Sequence, residues 1–246
     1  MASKMQFCFK RYEKKYMLTP EQLTRMMEGI KKYTCADEFG RYTICNIYYD
    51  TDDFRLIRAS LEKPIYKEKL RMRSYGVAHD QDKVFVELKK KYDSVVYKRR
   101  TVMKAVDAVS YIHRGIIPDQ EDQICREIDW FMQSYRPTPK VFIAYDRAAF
   151  AGLDNPELRI TFDTNLRWRE TELDLRAGDK GKALLPSDQI LMEIKILGTA
   201  PVWLAHLLSE TGAFPTSFSK YGTCYTQNIL YRSLPEANGK GGRACA

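Results

Sequence analysis

The residues with the clearest chemical potential are lysines and arginines spaced two apart. Lys67, Lys69, Arg71 and Arg73 alternate with Leu70 and Met72, and further on Glu87 and Lys89 alternate with Val84, Val86 and Leu88. Successive side chains of an extended chain point to opposite faces, so each run predicts a strand with one apolar and one charged face. The polar stretch from Gly76 to Lys83 is of hairpin length or slightly more and joins them. The pattern recurs. Lys98 and Arg100 share a face of a strand over 94–103, with Arg99 and Tyr97 opposite. Arg147 lies near the end of a strand over 140–150. Arg159, Thr161 and Asp163 oppose Leu158, Ile160 and Phe162, and Glu193 and Lys195 oppose Met192, Ile194 and Ile196. Charged faces turned to water are ordinary in antiparallel sheets and carry mixed signs. Here the sign is biased: Lys69, Arg71, Arg73, Lys89, Lys98, Arg147, Arg159 and Lys195 stand against the carboxylates Glu87 and Glu193.

The elements that must position these residues are mostly strands. A first strand runs from Phe7 to Tyr16, and Thr19-Pro20-Glu21 opens a helix with Leu23, Met26, Met27 and Ile30 on one stripe. Thr43–Asp50 is β-rich, and Thr51-Asp52-Asp53 caps a short helix that reaches Leu61 before Pro64. Residues 104–135 read as a helical insertion, with stripes Val106, Val109, Ile112 and Ile124, Ile128, Phe131. Its acids, Glu121, Asp122, Glu127 and Asp129, place it outside the basic face. A weak strand follows near Glu170–Leu175, another over Gln189–Leu197, then a helix over Pro201–Glu210 and an apolar stretch to Leu234. Many strands lie in hairpin order, which predicts an α+β protein: an antiparallel barrel or sandwich of about eight strands with peripheral helices. Residues 1–234 are expected to form one domain, and 235–246, Gly-rich and polar, a disordered tail.

The chain has 246 residues, 44% of them hydrophobic, a formal net charge of +8 and a pI near 9.1. The excess suits an anionic partner such as phosphates, nucleotides, nucleic acid or an acidic membrane. No apolar run is long enough to span a bilayer, and the N-terminus lacks the core of a signal peptide. The cysteines are scattered without a Cys-x-x-Cys pair, which points to reduced thiols in a cytoplasmic protein. In a closed barrel one face of every strand lines the lumen. Two like charges about 6 Å apart cost roughly 3 kcal/mol at an effective dielectric of about 20. A lumen this basic therefore calls for water or a multivalent anion, and arginine forks match phosphate oxygens. A carboxylate within it either neutralises a neighbour or holds a divalent metal through hard oxygen ligands.

Several segments, in order, resemble one family: Glu13-Lys14-Lys15-Tyr16, Tyr48-Tyr49-Asp50-Thr51, Leu70-Arg71-Met72-Arg73-Ser74-Tyr75, Phe85-Val86-Glu87-Leu88-Lys89, Asp146-Arg147-Ala148-Ala149-Phe150, Leu158-Arg159-Ile160-Thr161-Phe162-Asp163, Met192-Glu193-Ile194-Lys195 and Phe218-Ser219-Lys220-Tyr221. The chain resembles the polyphosphate polymerase (VTC, vacuolar transporter chaperone) domain of the triphosphate tunnel metalloenzyme superfamily. The resemblance implies a strand tunnel open at both ends in which Lys15, Arg71, Arg73, Lys89, Lys98, Arg147, Arg159, Lys195 and Lys220 contact phosphates and Glu193 binds the metal. Arg99 and Arg100 are neighbouring alternatives to Lys98. It further implies ATP as substrate, Mn²⁺ or Mg²⁺ as cofactor, and extension of a polyphosphate chain. The superfamily's Glu-x-Glu-x-Lys signature is reduced here to Arg11-x-Glu13-x-Lys15, which fits the polymerase branch better than the classical triphosphatases. The expectation is a stand-alone, bacterial, soluble version, open to a membrane-protein partner. The other readings are a tripolyphosphatase or nucleoside triphosphatase, a non-catalytic polyphosphate or nucleotide module, and a nucleic-acid binder using Tyr48, Tyr49 and Tyr75 as stacking platforms. The last does not explain cations spread over so many strands. His79, His113 and His206 are read as structural or surface residues, and no P-loop, kinase or zinc-protease motif is present.

Overall fold

The charged alternation resolves into a continuous antiparallel sheet. The computed structural model describes residues 11–93, 95–116 and 122–233. The strands are β1 (Arg11–Leu18), β2 (Thr34–Asp50), β3 (Tyr66–Tyr75), β4 (Lys83–Tyr92), β5 (Val95–Lys104), β6 (Thr138–Gly152), β7 (Arg159–Arg169), β8 (Lys182–Ala183) and β9 (Ile190–Leu197). They pair in the order β1-β9-β7-β6-β2-β3-β4-β5, with β8 on β7. The helices are α1 (Pro20–Ile30), α2 (Arg55–Leu61), α3 (Ala105–Arg114), α4 (Gln123–Tyr135), α5 (Val202–Thr211), α6 (Lys220–Cys224) and α7 (Leu230–Ser233), with a π-helical turn at Tyr225–Ile229 between the last two. The expected α+β antiparallel tunnel is present. Its sheet curls without closing, because β1 and β5 are edges of the hydrogen-bonded order. Residues 7–10 of the first expected strand, Ser94, Glu121 and the expected tail lie outside the described residues.

Two apolar cores cover the convex face. Leu70, Met72, Val86 and Leu88 of the β3–β4 hairpin pack beneath Ala108, Tyr111, Ile128 and Phe131 of α3 and α4. Tyr16, Leu18, Ile160, Ile194 and Ile196 pack beneath Met26, Ile30 and Leu204 of α1 and α5. Full burial of each such side chain contributes about 1.5–3 kcal/mol, so alternation leaves the sheet one way to face. A third core sits on the concave face. Ile57 of α2, Tyr221 and Cys224 of α6, and Tyr225 and Ile229 of the π-turn cover Ile44, Tyr48, Val141, Ile143, Leu166 and Trp168.

Helix α1 has its capping box, with Thr19 and Gln22 bonded reciprocally. Helix α2 is capped differently: Thr51 Oγ1 accepts from Arg55 N, while the Asp50 carboxylate reaches over Leu56 N and Ile57 N. In α3 the buried residues are Ala105, Ala108, Tyr111 and Ile112, with Val106 and Val109 only half-buried. No strand forms at 170–175. The Arg169 guanidinium donates to the carbonyls of Thr171, Glu172 and Asp174 and gathers that segment into a loop. Strand β7 instead runs on through a bulge at Ala144/Asp146, where Asn165 takes φ 49°. A bulge re-aims the side chains beyond it. Past it Leu166 and Trp168 occupy the concave core, and Arg167 pairs with Ala144 on the other side.

Candidate active site

Strand register builds the site. Arg71 lies opposite Tyr48 and Glu87, Arg73 opposite Asn46, and Lys69 opposite Lys89. Glu87 lies opposite Arg100 and Lys89 opposite Lys98. On the other wall Lys15 pairs with Glu193, Glu13 and Arg159 with Lys195, Thr161 with Glu193, and Arg147 with Asp163. Lys220 enters from α6, whose start is held by Ser219 Oγ accepting from Gly222 N and by Tyr221 Oη donating to Asp50 Oδ2 at 2.9 Å. Tyr221 also stacks on Tyr48, 5.0 Å between centroids. The two walls face each other: the Lys89 charge on β4 acts on the Glu13 carboxyl on β1.

The nine cations named from the sequence share this concave face. Arg159 is the outlier, half exposed at the rim with Asp37 3.6 Å away. Arg99 is excluded, because it pairs across the convex face with Glu127 of α4 at 3.2 Å. Arg100 joins Lys98 on the concave side. The expected carboxylate pair, Glu87 and Glu193, is incomplete, since Asp163 and Glu13 lie on the same face.

Each carboxylate has a distinct setting. Glu87 is buried (1% exposed) and bonds Arg71 Nη2 at 2.6 Å, Lys98 Nζ at 2.8 Å and Arg100 Nε at 2.9 Å, with Arg73 Nε at 3.9 Å. Burial would raise its pKa, but Arg71, Arg73 and Lys98 together hold it far below the usual carboxylate range. Asp163, fully buried, accepts both ends of the Arg147 fork at 2.6 and 2.8 Å and Lys220 Nζ at 2.6 Å. Its pKa is likewise lowered, burial being outweighed by Lys220 and Arg147. Glu193 differs. Lys195, Lys15 and Lys220 stand 3.3, 3.7 and 3.9 Å away, and it accepts no hydrogen bond among the described residues. Burial is again outweighed, by Lys220, Lys195, Lys15 and Arg147, which favours the ionised form, held by ion pairs. Thr161 Oγ1, on the neighbouring strand, is also buried without a hydrogen-bond partner among the described residues. Glu13 is lowered by Lys89, Lys195 and Lys15, against burial and the repulsion of Glu193.

This donor set fits a hard divalent cation that draws its remaining oxygens from phosphate and water. Glu193, and beside it Glu13, would hold it. Among the described residues no group of three or more His, Cys, Asp or Glu is disposed to bind a metal by itself. Lys69 is a further member. Among the described residues its ammonium donates to Ser219 Oγ, at 3.3 Å, and burial first, then Lys67, Lys89 and Lys15, pulls its pKa to about 7. The β3 alternation exposed it; nothing in the sequence exposed the lack of an acid opposite it.

A curled antiparallel sheet with a charged interior is the triphosphate-tunnel fold. It recurs in a candidate adenylate cyclase from Bacillus halodurans (TM-score 0.51, 14% identity, 91% of this chain and 96% of that one). It recurs also in a candidate adenylyl cyclase from Hippeastrum described as having a dominant triphosphatase activity (TM-score 0.53, 14% identity, 88% and 96%). The VTC domain family matches residues 10–229, and the chain belongs to that family. It is 27% identical over 217 residues to Vacuolar transporter chaperone complex subunit 4 of Schizosaccharomyces pombe; the match covers 74% of this chain and 30% of that protein. Among the described residues no helix is long and apolar enough to cross a membrane.

Proposed function

We propose that this protein is a metal-dependent polyphosphate polymerase that transfers the γ-phosphoryl of ATP to a growing polyphosphate chain in the basic channel. The observation that carries the reading is the convergence of lysines and arginines from seven strands and one helix on one concave face, where Lys15, Lys195 and Lys220 stand beside Glu193, an ionised carboxylate that accepts no hydrogen bond among the described residues. Membership of the VTC domain family supports it.

In this reading Arg71, Arg73, Lys89, Arg147, Arg159 and Lys195 bind and orient the phosphates. Lys15, Lys98 and Lys220 extend the cradle. Glu193, with Glu13, holds Mn²⁺ or Mg²⁺, which supplies Lewis-acid neutralisation at phosphate oxygens when bound. A terminal oxygen of the chain attacks the γ-phosphorus, the bond to the β–γ bridging oxygen breaks, and ADP leaves. The attacking oxygen is already ionised, so no general base is needed. The fixed guanidinium and ammonium groups stabilise charge on the transferring group and on the leaving oxygen.

The test is ATP consumption with Mn²⁺ by wild type and Glu193→Gln, alongside tripolyphosphate binding by both without metal. The variant is expected to lose turnover and keep the anion. Undiminished turnover by Glu193→Gln would remove the carboxylate from the mechanism.

A further inference from the structure

We propose that an aromatic rim at one end of the channel, Tyr42, Tyr75 and Phe85 with the Arg100 guanidinium, seats the base of a nucleoside triphosphate. Tyr75 ends β3 on the face that carries Arg73, two residues before it, yet half of its surface is open to water. Phe85 lies opposite Arg73, and Tyr42 opposite Arg147. The rim therefore adjoins two of the arginines that line the channel.

The rings form one cluster. Tyr42 and Tyr75 are 5.7 Å apart between centroids, and Phe85 meets Tyr75 edge-on at 5.5 Å. The Arg100 guanidinium carbon lies 4.0 Å above the Phe85 ring, while its Nε bonds Glu87 and its Nη2 reaches Tyr75 Oη at 3.5 Å. Arg100 thus ties the rim to the Glu87 cluster and holds the Phe85 ring in place. Exposed Tyr92 and Trp130 sit elsewhere, at the far end of the β3–β4 hairpin and on α4.

An inorganic phosphate chain has no use for aromatic faces, whereas a nucleotide does. Every base has a π-face, so stacking holds bases with little regard to identity, and an arginine beside the rings adds to it. A base on Tyr75 would leave its phosphates over Arg73 and Arg147. The seat then separates nucleotide from product polymer, which passes the rim without binding it. This rests on reading the channel as the triphosphate site.

The experiment compares ATP with inorganic tripolyphosphate, which has the phosphates and no base. Affinities are measured without metal, so that nothing turns over, for wild type, Tyr75→Leu and Tyr75→Phe. A fluorescent aminopurine triphosphate reports base stacking by quenching. Tyr75→Leu is expected to weaken ATP about tenfold, within the range of one base–aromatic stack, to leave tripolyphosphate unchanged, and to abolish quenching. Tyr75→Phe should restore both. Equal losses for the two ligands, or none for ATP, would overturn the seat while leaving the channel reading intact. Wild-type protein that binds neither ligand would overturn both.

Discussion

Replacing Glu87 by Gln should cost stability and sharpen anion binding at once. The carboxylate is buried and lies within 2.6 to 2.9 Å of Arg71, Lys98 and Arg100, with Arg73 at 3.9 Å. Removing one partner of a buried ion pair costs about 3–5 kcal/mol, because the other charge is left uncompensated. The side chains of Lys98 and Arg100 are 46% and 33% exposed and recover some hydration, which favours the lower end, about 3 kcal/mol. For a domain of this size each kcal/mol moves Tm by about 2–4 °C, so the variant should melt roughly 6–12 °C lower. A bound polyanion supplies the missing negative charge. If the variant binds tripolyphosphate tenfold more tightly, ligand at a hundred times the wild-type Kd stabilises it by about 4.1 kcal/mol, against about 2.7 for wild type. Thermal melts with and without tripolyphosphate, and an isotherm for each protein, measure both quantities. An unchanged Tm, or a ligand-induced gain no larger than that of wild type, would refute the reading of Glu87 as the counter-ion that holds these cations in the absence of a polyanion.

Arg71→Ala should weaken tripolyphosphate roughly 10- to 150-fold, the loss of hydrogen bonds to a charged group. Arg159→Ala should weaken it only a few-fold, because Arg159 is half exposed and shared with Asp37; equal losses would contradict the assignment of Arg159 to the rim. Lys69 has a pKa near 7, faces Lys67, Lys89, Lys15, Asp50 and Ser219, and is largely neutral at pH 8. Bound phosphates favour its charged form, so tripolyphosphate binding at pH 8 should take up close to one proton and strengthen as pH falls towards 7. Calorimetry in buffers of different ionisation heat reads the uptake, and Lys69→Met should abolish it; uptake that survives would assign the proton elsewhere.

Much of the fold was legible because alternation has one solution where one face must be buried. Lys67–Arg73 and Leu158–Asp163 declared both their strands and their inward faces. What stayed hidden depends on contacts between distant segments. Alternation put Asp163 on the face of Arg159, but its pairing with Arg147 and Lys220, and that of Glu13 with Lys195 far along the chain, come only from strand register and the approach of α6. The Asp50 cap acts six and seven residues ahead, beyond any local capping signal. Arg167 and Arg169 continue the spacing of Arg159 in sequence, but the bulge before them turns them out of the concave face. The buried stripe of α3 runs through Ala105 and Ala108 rather than its valines, because small residues let the helix lie close to the sheet.

The most direct measurement is a gel of the products formed from ATP and Mn²⁺, with and without a short polyphosphate primer. A polymerase yields ADP and a lengthening phosphate ladder with little free phosphate, and that is the expected result. Free phosphate without a ladder would make the channel a triphosphatase. No product at all, with tight polyphosphate binding, would contradict catalysis and leave a binding module.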